Sequence, residues 1–324
     1  EYYYYDRRGN LIEKKDAAGA RTLFWYDKLD RVTHQLSAGG TLTRHWYDKN
    51  GNLVETRTYE TLQSLPADAK GLPPSGGASA YRVTKYQYDA LNRLTKTIVP
   101  NITTATYTSA LAVTFGNLET TYAYDAMNNL VLVTDPRGSS TWSYYDKLGR
   151  KTVQVDAGLY RTDWSYDSNG NVTSERRYAT AQASAPSSTT SPPTAPATNA
   201  ADRVTDFTYD KMGRRLTEAR ANVAVHNGTG GTNSVTATIT YTYNALSQVL
   251  SKTEATGDAI NYTYDLGGRM TREQRSAFTD VNGASVTPTV EYEYNGLNNL
   301  ALTRALGAGG AVAAAERTST YAYD

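Results

Sequence analysis

The pair Tyr-Asp or Tyr-Asn recurs twelve times along the 324 residues, on a basic spacing of 21. Self-similarity at a fixed period predicts an array of repeated supersecondary units. A residue that recurs twelve times does not mark a single active site, so we expect these positions to be structural. The predicted structural repeat positions are Tyr5, Asp6, Gly9, Tyr26, Asp27, Tyr47, Asp48, Gly51, Tyr88, Asp89, Tyr124, Asp125, Tyr145, Asp146, Gly149, Tyr166, Asp167, Gly170, Tyr209, Asp210, Gly213, Tyr243, Asn244, Tyr264, Asp265, Gly268, Tyr294, Asn295, Tyr323 and Asp324.

Aromatic residues alternate along the segment before each pair. The residue three before the turn Asp or Asn is aromatic in ten of the twelve copies, and the chain has 27 Tyr against 4 Phe. A spacing of two places both rings on one face of a β-strand, where aromatic side chains are favoured. We expect the rings to stack on each other between adjacent hairpins and their hydroxyls to reach polar partners. The alternative is that exposed rings bind sugars or a protein partner.

The residues after each pair predict a hairpin turn with a bulge. Asp or Asn opens a type I turn, and a residue suited to positive φ follows three positions later, with Ser247 as the exception. The next position is Arg, Asn or Gln in all eleven complete copies. Asn replaces Asp at two of the turns, so the sequence favours turn capping over a metal site for these residues. A second turn about ten residues later, as at Asp16-Ala17-Ala18-Gly19, completes two strands per unit.

A longer period of 119 residues contains the shorter one. Asp6 to Asp125 and Asp125 to Asn244 are both 119 residues apart. We therefore interpret residues 1–324 as a single array, a fragment of a longer one, with higher-order units of about 6–124, 125–243 and a partial 244–324. Two Pro/Ser-rich inserts, of about 60–81 and 179–202, contain few large apolar residues. We expect them to stay outside the strand ladder and to project as loops.

These patterns predict an all-β fold in which tandem β-hairpins form one continuous, spirally wound antiparallel sheet. Twelve hairpins supply about two dozen strands, and open twisted sheets rarely exceed about 10 strands without curling. The strand arithmetic leaves two geometries open. The ribbon either makes a narrow, filled turn or curves around a wide cavity.

Composition argues against several classes of function. The formal charge is +1 with no basic stripe, which argues against nucleic-acid binding, and no apolar run reaches transmembrane length. The chain has no cysteine, its three histidines form no metal-spaced pair, and it contains no nucleophile elbow or phosphate loop. We therefore predict no catalytic, metal-binding or cofactor-binding residues, no cofactor, no nucleic-acid partner and no membrane insertion.

Two segments carry a family resemblance. Tyr86-Gln87-Tyr88-Asp89-Ala90-Leu91-Asn92-Arg93-Leu94 and Trp164-Ser165-Tyr166-Asp167-Ser168-Asn169-Gly170-Asn171-Val172 resemble the YD repeats of Rhs proteins. Similar repeats occur in the C component of insecticidal Tc toxins, in bacterial wall-associated proteins and in teneurins. The resemblance implies hairpins joined into one spiralling sheet, which in Rhs and Tc proteins forms a hollow shell around a C-terminal toxin. Asp135-Pro136-Arg137-Gly138 resembles the start of their core-boundary motif, but its position within the array favours an ordinary second turn.

The resulting hypothesis is a non-catalytic, extracellular or cell-surface scaffold. It would serve as the wall of a toxin-enclosing shell or as a self-supporting surface fibre. The alternative is an adhesin or carbohydrate-binding module that uses exposed aromatic residues and projecting loops. The expected partners are neighbouring repeats of the parent chain or copies of the chain itself, with an enclosed toxin domain or surface glycans as further candidates.

Overall fold

The chain folds into antiparallel β-hairpins. The structure, a computed structural model, describes residues 1–76, 80–107, 111–226, 231–306 and 317–323. Hydrogen bonds join 23 strands into one sheet, and two more form a separate small hairpin. This confirms the all-β fold and its tandem hairpins. Of the predicted repeat positions, Asp324 lies outside the described residues.

The chain divides into two compact units, Glu1–Ser143 (unit 1) and Tyr144–Asp324 (unit 2). Unit 1 contains ten strands and the start of an eleventh: β1 Tyr2–Tyr5, β2 Leu11–Lys15, β3 Arg21–Tyr26, β4 Val32–Leu36, β5 Leu42–Tyr47, β6 Leu53–Tyr59, β7 Tyr81–Tyr88, β8 Leu94–Tyr107, β9 Leu111–Tyr124, β10 Leu130–Thr134 and β11 Ser140–Tyr145.

Unit 2 contains the end of β11 and all later strands. These are β12 Lys151–Val155, β13 Arg161–Tyr166, β14 Val172–Arg177, β15 Arg203–Tyr209, β16 Arg215–His226, β17 Thr232–Tyr243, β18 Val249–Thr253, β19 Ala259–Tyr264, β20 Met270–Arg275, β21 Phe278–Thr279, β22 Ser285–Val286, β23 Thr289–Tyr294, β24 Leu300–Leu306 and β25 Arg317–Thr320. The small β21–β22 hairpin lies between β20 and β23, which pair directly with each other.

The register of the hairpins shifts where each Tyr-Asp turn begins. Trp25 pairs with His34, but the next residue, Tyr26, pairs with Val32, so Thr33 is the extra residue of a bulge. The same shift occurs in β5–β6, β7–β8, β13–β14, β15–β16 and β19–β20. A type I turn that ends in a residue with positive φ produces this bulge. The expected hairpin geometry is therefore confirmed.

The described part of the first insert, residues 60–76 and 80–81, does not project from unit 1, contrary to the sequence-based expectation. The main apolar cluster of this unit is centred on three fully buried leucines, Leu23, Leu36 and Leu42. Beside them are buried Trp25, Tyr59 and the insert residue Ala69. The insert thus covers one face of the sheet and closes the main apolar cluster of this unit. Its residues are small, which lets the insert backbone approach the sheet closely. A Cβ added at Gly76, for example, would lie 2.5 Å from the ring of Tyr59.

Polar side chains of the sheet fix this insert by binding its carbonyl groups. Arg21 donates to the carbonyls of Pro66 and Ala67, at 3.1 and 2.6 Å. The indole N–H of Trp25 donates to the carbonyl of Gly71 at 2.9 Å. An extended segment without strand partners must satisfy its backbone groups elsewhere. These bonds do so, which gives a physical reason why the insert lies on the sheet.

Unit 2 holds its own insert, residues 179–202, in the same way. The hydroxyl of Tyr144 donates to the carbonyl of Ser188 at 2.7 Å, and Arg161 donates to the carbonyl of Pro193. Asp202, which is 2% exposed, accepts bonds from the backbone N–H of Ala179 and from Arg176. The expectation of a projecting loop is therefore wrong for this insert as well.

Residues 119 positions apart are buried or hydrogen-bonded in the same way in the two units. Trp25 and Tyr144, Leu36 and Val155, and Tyr59 and Tyr178 are buried pairs at this separation. Gln63 donates its N–H to the carbonyl of Gly40, and Gln182 donates its N–H to that of Leu159, again 119 residues later. Both carbonyl-bearing residues have positive φ, +83° for Gly40 and +65° for Leu159.

Candidate functional site

The Tyr-Asp turns form the most regular constellation of polar side chains in the chain, and the turn at Asp89 illustrates their geometry. The N–H of Asn92 donates to the carbonyl of Asp89 at 3.0 Å, and the N–H of Asp89 donates to the carbonyl of Arg93 at 3.0 Å. Oδ1 of Asp89 accepts the N–H of Leu91 at 2.9 Å and that of Arg93 at 3.0 Å. One carboxylate oxygen therefore satisfies two backbone donors of the turn, as expected for a capping residue.

Positive φ occurs three residues after the Asp or Asn in all eleven complete turns. The residues are Gly9, Asp30, Gly51, Asn92, Asn128, Gly149, Gly170, Gly213, Ser247, Gly268 and Asn298. Ser247 adopts a φ of +65° although its side chain type does not favour this conformation. The surrounding turn bonds therefore override the intrinsic preference of that residue.

The residue four positions after the turn Asp binds the second carboxylate oxygen. Nε of Arg93 donates to Oδ2 of Asp89 at 2.7 Å, and Nδ2 of Asn52 donates to Oδ2 of Asp48 at 2.9 Å. The backbone N–H of Arg93 is the main cause that holds the pKa of Asp89 below its ordinary value. For Asp48 the main cause of the lowered pKa is the side-chain bond from Asn52.

The turn at Asn244 has the same backbone geometry, but the direction of the side-chain bond is reversed. Here the turn residue donates, and the residue four positions later accepts. Oδ1 of Asn244 accepts the N–H of Leu246 and that of Gln248, at 2.9 and 3.0 Å. Its Nδ2 then donates to Oε1 of Gln248 at 2.7 Å. Asn is paired with Gln here, where Asp is paired with Arg or Asn in other turns, so the two positions are chemically matched.

In ten of the twelve pairs, the Tyr connects its hairpin to the preceding one. The hydroxyl of Tyr47 donates to the carbonyl of Val32 at 2.8 Å, and that of Tyr166 to the carbonyl of Lys151 at 2.6 Å. In each case the acceptor lies five residues after the Asp or Asn of the previous turn. The tyrosines with this bond are Tyr26, Tyr47, Tyr88, Tyr124, Tyr166, Tyr209, Tyr243, Tyr264, Tyr294 and Tyr323.

Arginine, and not another ring, covers many of these tyrosines. The guanidinium carbons of Arg31 and Arg150 lie 4.5 and 4.7 Å from the ring centres of Tyr47 and Tyr166. Arg93, Arg214 and Arg269 cover the next tyrosine in the same way. Within the described ranges, two aromatic rings are in contact at one place, Tyr59 with Tyr81. The expectation that the rings stack on each other is therefore wrong for the Tyr-Asp turns.

The same side chains reach the backbone or side chains of the following turn. Nη1 of Arg150 donates to the carbonyl of Asp167 at 3.1 Å, and Nη1 of Arg214 to that of Asn244 at 2.8 Å. Gln248 donates to the carbonyl of Gly268 at 2.7 Å. We refer to the residue four positions after the turn Asp or Asn as the bridging residue, because in eight of the eleven described turns its side chain also binds the next turn.

The structure thus spreads the predicted repeat positions along successive turns. Positions of neighbouring turns share surface cavities, as Asp6, Tyr26 and Asp27 do in one and Asn244, Tyr264 and Asp265 in another. Unlike the ten tyrosines named above, the exposed Tyr5 has a hydroxyl without a hydrogen-bond partner among the described residues. The role of the bridging residue was not predicted, although its restriction to Arg, Asn or Gln was visible in every copy. Arg21, Arg161 and Asp202 hold the inserts on the sheet, and no residue type recurring in every copy marked these positions.

Within the described ranges, no three His, Cys, Asp or Glu side chains are grouped as a metal ion would require. The same residues include no helix of the length and apolar character needed to cross a bilayer. His45, in the recurring aromatic position, is half-buried against Thr56, and burial lowers its pKa.

Comparisons with known proteins agree with this geometry. The family model described as RHS Repeat matches residues 5–42, 113–140 and 124–158. No curated protein matches the chain in sequence. A crystal structure of TcdB2-TccC3-TEV shares the fold over 98% of this chain, with 14% identity and a TM-score of 0.51. The Tc holotoxin pore of Photorhabdus luminescens matches over 94% of the chain, with 14% identity and a TM-score of 0.34.

The chain spans 16% and 18% of the two Tc chains that it matches. The similarity to TcdB2-TccC3-TEV shows a shared fold and says nothing about activities or partners of this chain. The repeated turns account for the family match, since each matched segment contains complete Tyr-Asp turns. The repeated turns, the RHS Repeat matches and the shared fold together support a protein built from YD/Rhs repeats.

Proposed function

We propose that the chain is a non-catalytic stretch of wall in a secreted Rhs-type scaffold that encloses a toxin domain. The observation that carries this proposal is the bridging residue. It ties eight of the described turns to the next by hydrogen bonds, and where it is an arginine it also contacts a tyrosine ring, in addition to the bonds of the sheet. A long sheet without a supporting helical layer needs such reinforcement, because its turns are otherwise joined only through the strands.

The inserts support the same proposal. The first insert contributes Ala69 to the buried apolar cluster of unit 1, and the second is bound to unit 2 through Tyr144, Arg161 and the buried Asp202. A wall that separates an interior from the medium needs stable faces. The family likeness supports the enclosed toxin domain and the secreted, extracellular location, which we include in the proposal.

A self-supporting surface fibre is the second candidate, and the 119-residue equivalence favours it. Buried pairs such as Tyr59 and Tyr178 repeat at the spacing of the Tyr-Asp pattern. We propose that 6–124, 125–243 and the partial 244–324 are successive higher-order units of one array. Many such units in series would build a fibre. The adhesin alternative gains less support, because arginines cover several of the Tyr-Asp rings that it would use.

Cryo-electron microscopy of the chain within its natural flanking sequence tests the proposal. Hollow particles with internal density, and a downstream segment protected from added protease, are the expected result. Solid filaments with the same segment open to protease would favour the fibre and overturn the shell.

Substitution of the bridging residues connects that result to the structure. Replacing Arg93, Arg150 and Arg214 by Ala should reduce the protease protection. The matched control replaces Lys49, Lys147 and Lys211, which lie one residue after a turn Asp, and should leave it unchanged. Equal loss of protection in both triple variants would remove the bridging residue as the supporting observation.

A further inference from the structure

A cavity of about 520 Å³ lies on the sheet face formed by β14, β15 and β16 in unit 2. Four arginines and two glutamates line it, together with Phe207. The charged residues are Arg177, Arg203, Arg215, Arg220, Glu175 and Glu218. The lining therefore has a formal charge of +2, in a chain whose total is +1.

The two glutamates are already engaged. Glu175 binds Nε of Arg177 at 2.6 Å and also accepts the indole N–H of Trp164 at 3.2 Å. Glu218 binds both Arg215 and Arg220, at 2.9 and 2.7 Å. The guanidinium group of Arg203 has no hydrogen-bond or ion-pair partner among the residues that the structure describes, so its charge is unbalanced at the cavity wall.

The pairing of the strands makes this arrangement unfavourable on its own. Arg177 and Arg203 are direct cross-strand partners in β14 and β15. Like charges directly opposite each other destabilise a sheet. Arg177 and Arg220 remain largely exposed, at 63% and 61%, so their guanidinium groups are accessible to a ligand.

Unit 1 provides an internal comparison. Its equivalent strands β6, β7 and β8 form the same hairpins and bulges. The positions equivalent to Glu175, Arg177, Arg203, Arg215, Glu218 and Arg220 are Thr56, Thr58, Arg82, Leu94, Thr97 and Val99. One of the six charges is present there, so the hairpin fold does not require the cluster.

We propose that this cavity is a binding site for a tetrahedral oxyanion, in the form of a sulfate or phosphate group on a small molecule. Guanidinium groups recognise such oxyanions through charge-assisted hydrogen bonds. An anion between Arg177 and Arg203 removes the repulsion across the strands, and Arg220 lies on the neighbouring strand. The guanidinium carbon of Arg215 lies over the ring of Phe207, 4.8 Å from its centre, which holds it at the cavity wall.

The size of the cavity indicates the size of the ligand that it can hold. About 520 Å³ falls within the range of small-molecule sites, roughly 300–1,000 Å³. This is more than an inorganic ion needs. The site therefore accommodates a monosaccharide-sized ester, with the anionic group at the arginines and the remainder towards Val204 and Val223.

Isothermal titration of the full chain at low ionic strength tests the proposal. The probes are galactose 6-sulfate, glucose 6-phosphate, inorganic sulfate and inorganic phosphate, with uncharged methyl galactoside as the negative probe. Saturable binding of at least one anionic probe is expected. The sulfated, phosphorylated and inorganic arms distinguish a sulfate ester, a phosphate ester and the free ion.

Two matched variants identify the site. Arg203→Gln should weaken binding by about tenfold or more, the scale of one lost charge-assisted hydrogen bond. Lys211→Gln, at an exposed lysine of unit 2 that does not line the cavity, should leave the affinity unchanged. Arg203→Gln should also leave the thermal midpoint equal to or above that of the parent chain, because the like-charge pair is removed. Absence of saturable binding, or equal loss in the two variants, would overturn the proposal.

Discussion

The guanidinium carbon of Arg93 lies 4.8 Å from the ring centre of Tyr124, in the next Tyr-Asp turn of the sequence. Arg93 also binds Asp89 of its own turn and the carbonyl of Asp125 in the next. One side chain therefore combines an ion pair, a hydrogen bond and a cation–π contact. The arrangement recurs at Arg31 in unit 1 and at Arg150 and Arg214 in unit 2, so side chains link several successive turns within each unit.

The matched chemistry of the turn predicts a coupled double substitution at residues 89 and 93. Asp89→Asn alone turns an acceptor of Arg93 into a donor, so we expect a loss of about 1–2 kcal/mol in the free energy of unfolding. Adding Arg93→Gln reproduces the Asn244–Gln248 pair, in which the amide groups are complementary. The double variant should regain about 1 kcal/mol of that loss.

Urea unfolding of the parent, both single variants and the double variant measures this coupling. Arg93→Gln alone also serves as the control for the lost contact with Tyr124. Additive effects of the two substitutions would show that the residues do not act as a pair.

The tyrosine hydroxyl supplies a second prediction, at Tyr88. It donates to the carbonyl of Leu53 at 2.9 Å. Tyr88→Phe keeps the ring and removes this bond, so the free energy of unfolding should fall by about 1 kcal/mol. Tyr5→Phe is the control, because the Tyr5 side chain is exposed and its hydroxyl has no partner in the described ranges. Equal chemical denaturation midpoints for the two variants would contradict the role of the Tyr88 bond.

Much of the fold was predictable because it is local and repeated. Each role can be recognised from a few consecutive residues. The signals are Asp at the turn, Gly or Asn three residues later, and alternating aromatic residues before the turn. Twelve copies remove the ambiguity that a single copy would leave. Even the positive φ at Ser247 follows from its register with the other copies, although its residue type argues against it.

The contacts of the inserts and of the bridging residue were not predictable in the same way. Arg21 binds carbonyls 45 and 46 residues away, and no local pattern identifies that partner. Low apolar content suggested a projecting loop, but small residues also allow close packing on an aromatic face. The Arg-on-Tyr contact joins positions in different repeats, so its geometry depends on how adjacent hairpins are offset in the sheet.

Close packing of the first insert predicts a strong effect of one methyl group at Gly76. This residue has a φ of +76°, and an added Cβ would lie 2.5 Å from the Tyr59 ring. Gly76→Ala should therefore cost about 2 kcal/mol or more and loosen the insert. An added Cβ at Gly71 meets no atom within 4 Å, so Gly71→Ala is the control.

Tryptophan fluorescence and limited proteolysis report on this change. The indole of Trp25 is bound to the insert at Gly71, so its emission should shift to longer wavelength in Gly76→Ala. Cleavage within residues 60–76 should accelerate in that variant. If both alanine variants behave like the parent chain, the insert does not depend on contact with Tyr59.

Unit 1 should lose stability as the pH falls from about 6.5 to 4, because of His34. Burial is the main cause that lowers the pKa of His34 from 6.5 to about 4, and the charge of Arg44 adds to it. In this window the unfolded chain takes up a proton that the folded chain does not, so acid favours unfolding. Above pH 6.5 both states are neutral and the contribution vanishes.

Substitution of His34 by Gln should flatten the pH dependence of the unfolding midpoint across that window. Burial also lowers the pKa of His45, so His34→Gln/His45→Gln should flatten it further. An unchanged slope between pH 6.5 and 4 in the double variant would exclude the histidines as its source.

Protonation of Asp202 should reduce the stability of unit 2, at a lower pH than the window in which His34 acts on unit 1. Burial alone would raise the pKa of Asp202, but the N–H groups of Ala179 and Asn199 and the side chain of Arg176 outweigh it and lower the pKa below 3.8. The folded state therefore prefers the charged carboxylate. Its stabilising contribution is present above pH 3.8 and is lost as the pH falls through the lowered folded-state pKa.

Asp202→Asn should remove this contribution at neutral pH, with a loss of about 2 kcal/mol or more, because charge-assisted hydrogen bonds to a buried group are lost. Its effect should be local, seen as faster proteolysis within residues 179–202 at pH 7. Asp206→Asn is the control, since this more exposed carboxylate, on β15, binds the hydroxyl of Ser174 and no insert residue. Proteolysis of the insert at the same rate in both variants would show that Asp202 does not hold it on the sheet.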